Sequence, residues 1–64
     1  MKKYIIKDLI YSAYYLGGAE WTICRLCAQQ FATKEQAEKA IKYLIAVNKP
    51  IKKSELKIIE EERE

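Results

Sequence analysis

The stretch "AQQFATKEQAEKAI", Ala28 to Ile41, limits the available folds more than any other part of the chain. Thr33 is followed three residues later by Gln36, the spacing of a capping box, in which side chains and backbone amides at a helix start satisfy one another. Glu35 adds negative charge to the first turn, where the helix dipole favours it. Ala37, Ala40, Ile41, Leu44 and Ile45 then recur at helical spacing and lay down one apolar stripe. Glu35 with Lys39 and Glu38 with Lys42 are i, i+4 pairs in the favourable order on the opposite, wet face. Asn48 tolerates a left-handed conformation and Pro50 cannot continue the hydrogen-bond ladder, so the pattern predicts a helix over 33–47.

With 64 residues the chain has room for one domain, and a domain this small buries only about 60% of the surface its unfolded chain exposes. Half the residues are hydrophobic, and five tyrosines, one tryptophan and one phenylalanine can fill a single core without metal or disulfide. Pairing with a second copy would enlarge that core, so a homodimer is among the expected states. No apolar run approaches the roughly 20 residues of a membrane span, and "MKK" leads straight into alternating tyrosine, isoleucine and charge. A cytoplasmic protein is expected. Residues 60–64 carry −3 and the remainder +6 of the total +3, so the expected organisation is a basic domain over 1–59 with an acidic tail at 60–64.

The segment before the helix, "KKYIIKDLIYSAYYLGGAEW", supports two readings. Its tyrosines and isoleucines suit a pleated, half-buried surface, although no glycine or asparagine marks a turn within residues 4–16. Ile6, Leu9, Ile10, Ala13 and Leu16 also fit a helical stripe ending at Gly17. After the helix, "SELKIIEE" alternates as a closing strand would, or starts a short helix at Ser54. The first combination predicts an α+β domain, about three antiparallel strands packed on one helix. The second predicts a winged helix-turn-helix with 33–47 as recognition helix, bringing Lys34, Lys39 and Lys42 toward phosphates. Glu35 and Glu38 among those lysines count against it.

Taken together, "KYIIK", "YYLGG", "EWT", Ala28, Phe31, "TKEQAEKAI" and "LKIIEEE" resemble small ββαβ-type proteins of bacteriophages and other mobile elements. The resemblance spans nearly the whole chain and is one of architecture, without a catalytic signature. It implies a protein of the general kind that includes anti-CRISPR-like inhibitors of host defence, acting in the host cytoplasm. The chain departs from that pattern at "ICRLC", residues 23–27, where polar residues are usual.

Cys24 and Cys27 have the C-x-x-C spacing of zinc and redox sites, yet a structural zinc needs four ligands and the chain has no histidine and no second cysteine pair. Reduced, partly buried cysteines are the expectation, with no cofactor. The usual acid-base and nucleophile constellations have no candidates either. Binding remains. Tyr14, Tyr15, Trp21 and Arg25 are the residue types that dominate interface hot spots and are the candidate partner-binding residues. The expected function is non-enzymatic, stoichiometric binding of a host protein target. The alternative is a small winged-helix regulator, the one reading in which nucleic acid is the partner.

Overall fold

The computed structural model describes residues 2–18, 20–47 and 51–62. The chain runs β1 (Lys2–Asp8), β2 (Ala13–Gly17), β3 (Glu20–Thr22), a 3₁₀ turn at Arg25–Cys27, α1 (Lys34–Val47), a second 3₁₀ turn at Lys53–Glu55 and β4 (Leu56–Glu62). The strands form one antiparallel sheet in the order β3-β2-β1-β4, with α1 packed on one face. The α+β expectation therefore holds, with four strands where about three were expected. Residues 4–16 form strands and a turn rather than a helix, so the winged helix-turn-helix is not the fold.

The helix begins as its sequence dictates. The Gln36 amide donates to Thr33 Oγ1 at 3.2 Å, while the Gln36 side-chain oxygen accepts from the Ala32 amide at 3.1 Å, one residue earlier than the ideal reciprocal bond. Ala37, Ile41 and Leu44 are buried, and Ala40 and Ile45 pack at the rim of the core. Asn48 and Pro50, the expected stop, lie outside the described residues.

The β1–β2 turn uses signals other than glycine or asparagine. The buried carboxylate of Asp8 accepts the amides of Ile10, at 2.8 Å, and Tyr11, at 3.2 Å, and Ser12 takes a left-handed conformation with φ 53°. An aspartate bonding the backbone ahead of it holds a turn closed as a main-chain bond would. Asp8→Ala leaves both amides without that acceptor and is expected to cost about 1–3 kcal/mol in urea unfolding. Asp8→Asn keeps an acceptor oxygen and should cost less. Equal losses would mean that the carboxylate charge, not the turn geometry, matters.

Backbone parity gives each face its residues. Leu9 N–H donates to Glu55 C=O at 2.8 Å, which places the odd-numbered amides of β1 toward β4 and the even-numbered ones toward β2. β2 follows β1 only through Lys7↔Tyr14 and Asp8↔Ala13 before the two diverge. Residues 29–31 fill the gap. Gln29 N–H donates to Tyr15 C=O at 2.9 Å, and Tyr4 and Phe31 exchange bonds of 2.9 and 2.8 Å. Ile6, Tyr15, Phe31, Leu56 and the buried face of α1 form the core on the helix side.

Ile5 points to the opposite face and is also fully buried. The connection after β3 closes over it. Arg25 forms an ion pair with Glu61, which stands opposite Lys3 on the far strand, and Ala28 is buried on the way back to Phe31. β4 continues through Glu62, so the first acidic residues of the expected tail belong to the sheet. Arg63 and Glu64 lie outside the described residues.

Candidate functional site

The four candidate residues fall on two faces. Tyr15 pairs with Trp21 across β2 and β3, and their rings meet edge-on with centroids 5.4 Å apart on the helix side. Tyr15 is only 5% exposed, and its hydroxyl donates to Gly18 C=O at 2.9 Å, closing the β2–β3 hairpin. Burial, and to a lesser degree the neighbouring Tyr43, raises its pKa. A side chain so enclosed has almost no surface to give a partner, so Tyr15 is a core residue rather than a contact. Trp21 packs half-buried against the same core. A domain this small needs its large aromatics inside, which is why both turn inward.

Tyr14 and Arg25 lie on the other side. Tyr14 shares its face with Lys7, whose ammonium stands 5.7 Å from the ring centroid, close enough for a cation–π contact. Arg25 keeps half its side chain in solvent while bonded to Glu61. It sits in the loop 23–27, which contains two strongly exposed aliphatic side chains. Ile23 is 88% exposed and Leu26 is 77% exposed.

That loop is held from several directions. Thr22 Oγ1 accepts the Cys24 amide at 3.0 Å, Cys27 N–H donates to Cys24 C=O at 3.0 Å, and Arg25 ties the turn to β4. Thr22 stands opposite Tyr14, so Ile23 leaves the sheet at the end that carries the β1–β2 turn. Leu9, Ile10 and Tyr11 are exposed there. Ile23 and Leu26 are the residues that sequence reasoning passed over. Their signal was present in the apolar "ICRLC", which fits either the inner face of a helix or an outward-facing loop.

The cysteines are exposed rather than partly buried, because a one-turn 3₁₀ element lying on the sheet surface buries neither side chain. Cys27 Sγ donates to Cys24 Sγ at 2.9 Å. That bond, with backbone amides assisting, lowers the Cys24 pKa, and the donated proton raises that of Cys27. No group of three or more potential metal ligands exists among the described residues.

A second feature lies on the helix side, where α1 overhangs β4. A groove of about 500 Å³ is lined by Ile41, Ile45, Leu56 and Ile58 together with Lys34, Glu38, Lys42 and Lys53, and is bordered by Lys57, whose side chain belongs to the opposite face of the sheet with Lys7. These lysines come from α1, the 3₁₀ turn before β4 and β4 itself, so the fold gathers them from distant positions in the sequence. No described helix is long and apolar enough to cross a membrane. No family, curated protein or solved structure matches the chain.

Proposed function

We propose that the protein is a non-enzymatic binding module, a phage-type inhibitor that docks stoichiometrically on a host defence complex in the cytoplasm. The observation that carries this reading is the apolar loop at 23–27, in which Ile23 and Leu26 stand in solvent on a braced backbone. Large apolar side chains on a fixed loop lose little conformational freedom on binding and remove much apolar surface from water, which favours protein recognition. Arg25 between them and Tyr14 on the same face supply the polar and aromatic contacts that usually accompany such anchors. A chain without histidine has few groups suited to proton transfer near neutral pH, which also favours binding over catalysis.

The experiment is capture of host proteins by the tagged protein, with the Ile23→Asp, Leu26→Asp double variant beside it. A host protein retained in a 1:1 ratio by the wild type, and lost by a variant with unchanged circular dichroism, supports the reading. Binding should weaken only modestly between low and physiological salt, because desolvated apolar anchors carry it. Sub-micromolar, sequence-dependent binding of duplex DNA would overturn the reading. Its log affinity would fall by close to one unit of slope per phosphate contacted as log salt rises.

A further inference from the structure

We propose that β4 is a self-association edge, along which two copies pair antiparallel about a two-fold axis at Ile59 to form one continuous eight-stranded sheet. The surface meets the loop at 23–27 only through Glu61, which pairs with Arg25, and the proposal does not rest on the function proposed above.

The two edges of the sheet differ. β3 is a three-residue strand, and edges this short resist unwanted pairing. β4 is seven residues long, with no proline and no bulge in its pairing with β1. Its odd-numbered residues exchange hydrogen bonds with β1, so the amides and carbonyls of Ile58 and Glu60 and the carbonyl of Leu56 point away from the sheet, while the Leu56 amide closes the preceding turn on Lys53 C=O. An added strand would use these groups.

Charge selects the occupant. The strand "LKIIEEE" is basic at its start and acidic at its end, so an antiparallel copy reverses that polarity and is complementary to it. With Ile59 on the axis, Ile58 stands opposite the partner's Glu60, an even-to-even pairing that matches the outward-pointing backbone groups. Odd-numbered residues then meet in the closer, non-hydrogen-bonded pairs. Ile59 meets the partner's Ile59, and Lys57 meets the partner's Glu61 on both sides of the axis. Glu61 already receives Arg25, and a carboxylate with two oxygens can accept a further cation. On the helix side the partner's Glu60 comes to the groove beside β4, whose rim carries Lys34, Lys42 and Lys53. Each copy offers a basic groove and an acidic strand end, so one isologous interface satisfies both at once.

Sedimentation equilibrium over a range of protein concentrations tests this. The wild type should be dimeric, and added salt should weaken the dimer severalfold by screening the Lys57 pairs. Glu60→Pro removes an outward amide but no backbone bond to β1, and the exposed side-chain contacts of Glu60 with Tyr4 and Lys2 are lost equally in Glu60→Ala, so the proline variant should remain folded by circular dichroism and become monomeric. Glu60→Ala should stay dimeric. Lys57→Glu alone and Glu61→Lys alone each place like charges opposite one another and should be monomeric, whereas an equimolar mixture of the two should dimerise, because both cross-axis pairs become complementary again. A wild type that is monomeric throughout, a folded Glu60→Pro that still dimerises, or two folded charge variants that fail to pair when mixed would each overturn the proposal. Should Glu61→Lys not fold, the contrast between Glu60→Pro and Glu60→Ala decides.

Discussion

Phe31→Ala is expected to unfold the protein, or to leave it folded only at low temperature, because it removes a side chain that joins every part of the core. Deleting a buried phenylalanine usually costs about 3–5 kcal/mol, against a total stability of about 5–15 kcal/mol for natural domains. A chain of 64 residues belongs at the low end of that range. Phe31 is 9% exposed and packs with Ile6, Tyr15 and the buried stripe of α1, while its backbone bonds Tyr4 where β2 has turned away from β1. Its loss leaves a cavity at the junction of sheet, connection and helix. Far-ultraviolet circular dichroism with urea unfolding is the measurement. A variant that stays folded at a cost below about 1 kcal/mol would show that the segment at 29–31 is not a structural wedge.

Ile5→Ala is expected to cost about 2–5 kcal/mol, the range for truncating a buried aliphatic side chain. The size of that loss bears on the architecture, because Ile5 faces away from the helix. A sheet with a single helix would ordinarily leave that face in water, and truncation there would cost little. Here the connection from β3 crosses the face, the Arg25–Glu61 pair fastens it, and Ile5 has no exposed surface. Ile10→Ala, in the exposed β1–β2 turn, provides the comparison and should stay within about 0.5 kcal/mol of wild type. If Ile5→Ala and Ile10→Ala behaved alike, the second face would be open in solution. Arg25→Ala, which frees the loop from β4, would then matter just as little.

The sequence alone determined the helix, and the reason is local. A capping box, a 3.6-residue stripe and favourable ion pairs act within one turn of each other, so nothing distant is needed to specify residues 34–47. For "SELKIIEE" the sequence left a strand and a short helix from Ser54 both open, and the structure has a 3₁₀ turn at Lys53–Glu55 leading into the strand Leu56–Glu62. Residues 4–16 were balanced between strand and helix because their apolar residues fit both periods. Tertiary structure broke the balance by burying both Ile5 and Ile6 on opposite faces of β1, Ile6 in the core under the helix and Ile5 outside that cluster, an alternation that adjacent residues reach on a strand. The turn was legible in Asp8 but masked by the apolar run Leu9, Ile10 and Tyr11, which resembles more core and is in fact exposed. The acidic end appeared detachable because charge runs usually solvate. Pairing with Lys2, Lys3 and Tyr4 draws Glu60–Glu62 into the sheet instead. The loop at 23–27 lay furthest beyond the sequence. The contact that braces the segment carrying Ile23 and Leu26 is the pair of Arg25 with Glu61 on β4, more than thirty residues further along the chain.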